Sequence, residues 1–155
     1  MKKKLFSLLV MSLCFSSFVA AVESGERFSQ SEEAVRLATY GHIDAKGLKV
    51  LMDSQTPLVL LDARGGRWND GNILPGAKLA FYQDPQEEIE LLIPNKESLV
   101  VVYCYSFTCP LSPKLAQKLL EWGYTNVLEY PGGLKEWRDI ANYPVEFIEK
   151  EATTS

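Results

Sequence analysis

Apolar positions fall into two kinds of pattern along this chain. Continuous apolar runs at residues 58–61 and 99–103 are typical of strands buried on both faces, and residues 126–130 predict a third strand. Apolar positions at helical spacing lie between these runs. Buried strands that alternate with helices predict an α/β domain of three layers, with a mostly parallel central sheet and helices on both of its faces.

The predicted helices carry capping residues at their starts. Ile43 followed by Asp44 is typical of a hydrophobic staple and N-cap. Ser112 followed by Pro113 is typical of an N-cap and a proline in the first helical position. The predicted helices cover residues 31–40, 44–55, 86–92, 112–122 and 134–140.

The N-terminus has the pattern of a secretory signal peptide. Three lysines at residues 2–4 precede an apolar run at 5–18, and small residues lead to a cleavage site after Ala21. The run is too short and serine-rich for a membrane span. We therefore expect a periplasmic or secreted protein without a stable membrane span. The expected organisation is a signal peptide at 1–21, a lead-in at 22–37, one domain at 38–148 and a tail at 149–155.

Charge changes the picture of possible partners. The chain has 155 residues, about one domain, and a formal charge of −4. Removal of the predicted signal peptide takes away three lysines and leaves 13 basic and 20 acidic residues, a charge of −7. Such a domain repels phosphate backbones, so nucleic acid is not an expected partner. The single histidine, His42, excludes a His-rich metal site, and we expect neither a metal nor a cofactor.

Two cysteines remain after Cys14 leaves with the signal peptide. Cys104 directly follows the second predicted strand, and ligands in open α/β sheets bind outside the carboxyl ends of strands. Loop amides and the next helix N-terminus favour a thiolate there, which suits a nucleophile or an anionic persulfide. The alternative is that Cys104 is a small buried residue that ends a strand.

Short motifs follow one another in a fixed order along most of the chain, at 43–48, 60–64 with Trp68, 71–77, 102–104, and 130–137 with 143–145. Over residues 38–146 the sequence resembles the rhodanese family. The resemblance implies the rhodanese fold, with Cys104 as the catalytic residue of a sulfurtransferase. Two departures, Asn72 in place of the family's common histidine and an inserted Leu74, are expected to cause only local adjustment.

The resemblance also implies a mechanism. Cys104 takes sulfur from a small-molecule or protein-borne donor and passes it, as a persulfide, to a thiol or cyanide. The loop after it departs from the common pattern because it has no basic residue, no glycine and about two extra residues. Amides of this loop are expected to stabilise the sulfur anion. The loop residues concerned are Tyr105, Ser106, Phe107, Thr108 and Cys109.

Rival functions fit the same loop less well or remain open. Related cell-cycle phosphatases have a loop of similar length but need an arginine six residues after the cysteine, where this chain has Pro110. Phosphatase or arsenate reductase activity is therefore not expected. Cys109 is either a resolving thiol or a packing residue. The alternatives to sulfur transfer are a non-catalytic binding module and a periplasmic thiol-disulfide protein that uses both cysteines.

The remaining candidates have structural interpretations. Asp62 and Arg64 are expected to form an ion pair at a strand end, or Arg64 faces the pocket. His42 is expected to be a surface or cap residue rather than a base. Tryptophans are expected to pack and the acidic residues of the third helix to face solvent; these are Trp68, Trp137, Glu87, Glu88 and Glu90.

Overall fold

The computed structural model describes residues 39–149, except for the side chain of Arg67. The predicted signal peptide, the lead-in and all but the first residue of the predicted tail lie outside the described residues. Most of the helix predicted at 31–40 lies outside them as well, and residues 39–40 are not helical.

A five-stranded parallel sheet forms the centre of the fold, as predicted. Its spatial order is β1, β6, β5, β2, β4, and each neighbouring pair is parallel. In the register of the three central strands, Leu61 lies opposite Val102, which lies opposite Glu129. The strands are β1 (Gly41–His42), β2 (Val59–Asp62), β4 (Lys78–Leu79), β5 (Val100–Tyr103) and β6 (Val127–Tyr130).

Helices cover both faces of this sheet. Side chains of a strand alternate between faces, so Val100 and Val102 of β5 contribute to one buried cluster while Val101 and Tyr103 contribute to the other. Both clusters are buried, which makes the domain three-layered. The helices are α1 (Ala45–Asp53), α2 (Gly65–Trp68), α3 (Gln86–Glu90), α4 (Leu111–Glu121) and α5 (Gly133–Lys135), which continues into a π-helical segment (Glu136–Ile140).

Two predicted helix starts have different outcomes. Asp44 is the N-cap of α1, as predicted, and its carboxylate accepts a hydrogen bond of 2.7 Å from the amide of Gly47. The prediction for Ser112 is wrong, because α4 already begins at Leu111. Ser112 lies in the first turn, where its hydroxyl donates to Glu129 Oε1 at 2.8 Å. This contact ties the start of α4 to strand β6.

A small antiparallel pair of strands lies outside the five-stranded sheet. Strand β3 (Asn72–Ile73) pairs with β7 (Glu146–Phe147). Leu74 next to it is fully buried, and its amide donates to the hydroxyl of Tyr103 at 3.0 Å. The inserted Leu74 is thus accommodated because its side chain packs into the buried cluster on one face of the sheet. Within residues 39–149, no helix combines the length and apolar character needed to cross a membrane.

Candidate functional site

Cys104 is the first residue after the central strand β5, and 1% of it is exposed. Its carbonyl oxygen accepts a hydrogen bond of 3.0 Å from the amide of Leu134. The carbonyl of Tyr105 accepts one of 2.8 Å from the amide of Lys135. The start of the cysteine loop is therefore fixed to the start of α5, and Gly133 makes that turn with a φ of +61°.

A disulfide joins Cys104 to Cys109, five residues later. The Cα atoms lie 6.3 Å apart, within the range of ordinary disulfides. Cys109 is partly exposed, whereas Cys104 is buried. In this form Cys104 has no free thiolate, so any nucleophilic chemistry requires the disulfide to be reduced first.

Most amides of the cysteine loop are available to an anion. The amide of Cys109 is not, because it donates to the carbonyl of Ser106 at 2.9 Å. In the disulfide form, that amide of the predicted set is therefore already occupied. In the described part of the chain, the other four amides of the set donate to no protein acceptor; they belong to Tyr105, Ser106, Phe107 and Thr108.

A cation lies beside the loop although the loop itself contains none. Arg138, in the π-helical segment, interacts with the hydroxyl of Tyr105. Its guanidinium donates to the carboxylate of Asp139 at 2.6 and 3.2 Å and lies 3.9 Å from Asp70. The hydrogen bond to Asp139 raises the pKa of Arg138 above its ordinary value. The charge next to the loop is therefore already paired.

Asp62 and Arg64 form a buried ion pair and do not face an open pocket. Both residues are at most 3% exposed, and Arg64 Nη2 donates to Asp62 Oδ2 at 2.7 Å. Arg64 also donates to Asp70 at 3.1 Å and to the carbonyl of Asn72 at 2.6 Å. Burial raises the pKa of Tyr103 nearby, and the Asp62 carboxylate raises it further. The pair thus holds the loop after β2 in place.

A cavity of about 540 Å³ lies at the carboxyl ends of β1 and β6, with the tip of the cysteine loop as one wall. His42, far from the loop in sequence, lies here on β1 and not at a helix cap, 3.3 Å from the carboxylate of Glu129. Phe107 is 69% exposed at the loop tip. The cavity is lined mainly by His42, Asp44, Phe107, Tyr130, Gly132 and Glu136.

The two predicted packing tryptophans differ. Trp137 is fully buried, and its indole donates to the carbonyl of Pro144 at 2.7 Å. Trp68 is not part of the buried core, because 58% of it is exposed at the end of the short helix α2. Glu87 and Glu88 are exposed as predicted, whereas Glu90 is half-buried and paired with a lysine, Lys96.

Sequence reasoning missed several residues of this region. Arg138, Tyr130 and Glu136 stand in or next to the closing motif, but nothing in the pattern shows that they turn toward the cysteine loop. Asp44 was assigned only a capping role. Among residues 39–149, no three or more His, Cys, Asp or Glu side chains are grouped to hold a metal ion.

The fold and the site together define a class, a three-layer α/β domain with a cysteine at the carboxyl end of its central parallel strand. Comparison with protein-family models matches residues 44–140 to the Rhodanese-like domain. The chain therefore belongs to the rhodanese-like domain family, which confirms the resemblance of its motifs. Among curated proteins, no match to this chain is found.

Solved structures share the fold at low sequence identity. The BH2092 protein from Bacillus halodurans is 19% identical, with a TM-score of 0.63 over 85% of this chain and 96% of that one. The Alr3790 protein from Anabaena sp. is 23% identical, with a TM-score of 0.60 over 68% and 80%. A thiosulfate sulfurtransferase from Pseudomonas aeruginosa is 22% identical, with a TM-score of 0.59. That match covers 80% of this chain but 23% of the other protein.

Proposed function

We propose that this protein is a sulfurtransferase in which Cys104 carries sulfane sulfur as a persulfide. The observation that supports it most is the position of Cys104, directly after the central strand and followed by four amides without a protein acceptor. Such amides stabilise a thiolate or persulfide anion by donating hydrogen bonds. Family membership supports the same proposal at a coarser level.

The proposed reaction conserves electrons. The Cys104 thiolate attacks the outer sulfur of a persulfide donor, so a bond forms between Cys104 Sγ and that sulfur, and the donor leaves as a thiolate. An acceptor thiolate then attacks the outer sulfur of the Cys104 persulfide. The new sulfur–sulfur bond forms on the acceptor, and Cys104 leaves as a thiolate. No external oxidant or reductant takes part in the cycle.

The disulfide adds a resting state to this cycle. A dithiol reductant opens it in two steps: one thiolate attacks a cysteine sulfur and forms a mixed disulfide, and the second thiolate of the reductant then displaces that cysteine. The reductant leaves as a disulfide, and two electrons pass to the cysteine pair. In the reverse sense, the Cys109 thiolate attacks Cys104 Sγ in the persulfide, restores the disulfide and releases hydrosulfide. Export to an oxidising compartment, as the signal-peptide pattern indicates, would favour the closed form. Cys109 is then a resolving thiol that protects Cys104.

The disulfide also favours a second candidate function, that of a thiol-disulfide protein without sulfur loading. The two proposals differ in what the reduced protein does with polysulfide. A sulfur carrier gains about 32 Da, the mass of one sulfur atom, whereas a thiol-disulfide protein loses about 2 Da as its cysteines pair. A binding module shows neither change.

Because Cys109 can resolve the persulfide of the native protein, intact mass spectrometry of the reduced Cys109→Ser variant after brief exposure to polysulfide tests the proposal. We expect a gain of one sulfur that is reversed by a thiol acceptor. A Cys109→Ser variant that gains no sulfur contradicts sulfur transfer.

A further inference from the structure

The cavity beside the cysteine loop contains a buried hydroxyl with no partner. Tyr130 is fully buried at the end of β6, and its Oη forms no hydrogen bond in the described part of the chain. Its neighbours on the cavity side are the carboxylates of Glu136 and Asp44. Burial raises the pKa of Tyr130 above its ordinary value, and these two carboxylates raise it further. The hydroxyl therefore keeps its proton, and an unpaired buried hydroxyl is costly unless a ligand completes it.

The charged groups of the cavity are acidic. Glu136 Oε2 occupies the space that a side chain at Gly132 would fill, which fixes the carboxylate against the wall. This carboxylate also acts on the hydroxyl of Tyr130, whose pKa it raises. Asp44 Oδ1 accepts a hydrogen bond of 2.7 Å from the amide of Gly47 as the helix cap. No lysine or arginine of the described residues lines the cavity.

The remaining walls suit an organic cation. The ring of Phe107 is largely exposed at the loop tip, and aromatic faces attract ammonium groups. The imidazole of His42 is 3.3 Å from the Glu129 carboxylate, which compensates any charge that His42 carries. A ligand with an ammonium group would meet two carboxylates, an aromatic ring and a hydroxyl oxygen that accepts an N–H bond.

We infer that this cavity binds the ammonium group of the sulfur acceptor, which is therefore a short aminothiol rather than an anionic thiol or cyanide. The position of the cavity supports this class of acceptor. Phe107 lines it three residues after Cys104, and Gly132 lines it next to Gly133, whose turn holds the Cys104 carbonyl. The assignment as an acceptor rests on the proposed function, whereas the binding of a cation does not.

Three small thiols of similar size test the charge preference. Persulfide-loaded protein is discharged with cysteamine, 2-mercaptoethanol or 3-mercaptopropionate, with rates compared at equal thiolate concentration. We expect the KM for cysteamine to be lower than that for 3-mercaptopropionate by about tenfold or more, the effect of one charge-assisted contact. Added salt should narrow the difference. Equal KM values for the three thiols would overturn the inference.

Matched variants locate the preference in the cavity. Glu136→Gln removes one carboxylate, and Asp44→Asn removes the other while asparagine still caps α1. Each is expected to raise the KM for cysteamine several-fold and to leave that for 2-mercaptoethanol unchanged. Glu87→Gln, on exposed α3, makes the same change in net charge and should alter neither value. A preference that survives both cavity variants contradicts the assignment.

A variant without sulfur chemistry separates this inference from the proposed function. In the double variant Cys104→Ser and Cys109→Ser, cysteamine binding is measured by NMR titration, with Tyr130→Phe added in a second protein. We expect binding that the added substitution weakens several-fold. Because Tyr130 Oη forms no hydrogen bond within residues 39–149, Tyr130→Phe should not lower stability without ligand. Binding here without transfer by the native protein would refute sulfur transfer alone, whereas transfer without cysteamine binding would refute the cavity assignment alone.

Discussion

Gly133 lies against Cys104 so closely that a Cβ atom added to it would be 2.4 Å from the Cys104 carbonyl oxygen. Its φ of +61° is in the left-handed region that favours glycine. The next amide, that of Leu134, donates to the same oxygen. The turn before α5 is therefore part of the support of the reactive cysteine, although it is 29 residues away in the sequence.

Replacing Gly133 with alanine should damage both fold and site. The left-handed backbone alone costs about 1–2 kcal/mol with a Cβ atom, and the clash with the Cys104 carbonyl adds roughly 1–3 kcal/mol. We expect Gly133→Ala to lower the free energy of unfolding by the sum of these two costs and to slow sulfur loading of Cys104. Urea denaturation and intact mass measure the two effects.

Gly123→Ala is the matched control for that substitution. Gly123 also has a positive φ, +85°, but a Cβ atom there meets nothing within 4 Å. It should show only the backbone cost and load sulfur normally. Equal destabilisation by the two alanines would show that the contact with Cys104 is unimportant.

The two cysteines should have separable roles. Cys104→Ser is expected to abolish sulfur loading while the domain stays folded, because serine is nearly isosteric. Cys109→Ser is expected to load sulfur without prior reduction, since no disulfide then blocks Cys104. Persulfide mass and thiol alkylation measure both. If the Cys104→Ser protein loads as well as the native one, the carrier is another residue.

Thiosulfate should be a poor donor compared with an uncharged or thiol-borne persulfide. The loop has no cation of its own, and Arg138 beside it is paired with Asp139. Asp139→Asn should release that charge and raise kcat/KM for thiosulfate several-fold, with a marked dependence on salt. A native kcat/KM for thiosulfate equal to that for the uncharged donor, and insensitive to Asp139→Asn, would count against this interpretation.

The buried ion pair of Asp62 and Arg64 should contribute strongly to the free energy of unfolding. Removing one partner leaves an unpaired buried charge, so Arg64→Ala is expected to cost about 3–5 kcal/mol. Chemical denaturation gives the value. A loss well under 1 kcal/mol would show that the pair is replaceable by solvent.

Asp70 should make part of the stability depend on pH. Partial burial raises its pKa, but the amide of Asn72 and the guanidinium of Arg64 outweigh that effect and hold the pKa below the ordinary 3.8. A depressed folded pKa contributes stability above the ordinary value that is lost as pH falls through the folded one. Asp70→Asn should therefore be less stable than the native protein at neutral pH, and the difference should shrink in acid. A constant difference across that range would contradict the assignment.

Much of the fold could be predicted because its central strands are buried on both faces. The apolar runs around Leu61 and Val102 contain no alternating polar residues. That pattern predicts a parallel sheet that is covered on both faces. The outer strands could not be predicted in this way. Strands β1, β3, β4 and β7 have two residues each, too few for any periodicity. Ser112 was misplaced because its hydroxyl is taken by Glu129, a contact made only in the folded sheet.

The sequence predicted the candidate site only at the position where a reactive residue type follows the end of a strand. Cys104 combines a reactive residue type with a strand terminus, and both are visible in the sequence. Tyr130 and Glu136 have ordinary residue types in a closing motif, and their cavity forms only when β1 and β6 pair. Arg138 reaches Tyr105 through the π-helical segment, a geometry that residue spacing does not reveal.

A single-turnover transfer experiment tests the central claim, that Cys104 carries and delivers sulfane sulfur, most directly. The reduced Cys109→Ser variant, which cannot form the internal disulfide, is loaded with polysulfide, freed of excess donor and mixed with cysteamine, while intact mass and the acceptor product are followed together. The account predicts a gain of about 32 Da on the peptide that contains Cys104, then its complete loss with one equivalent of acceptor persulfide formed. A protein that gains no sulfur, or keeps it in the presence of every thiol tested, would contradict the account.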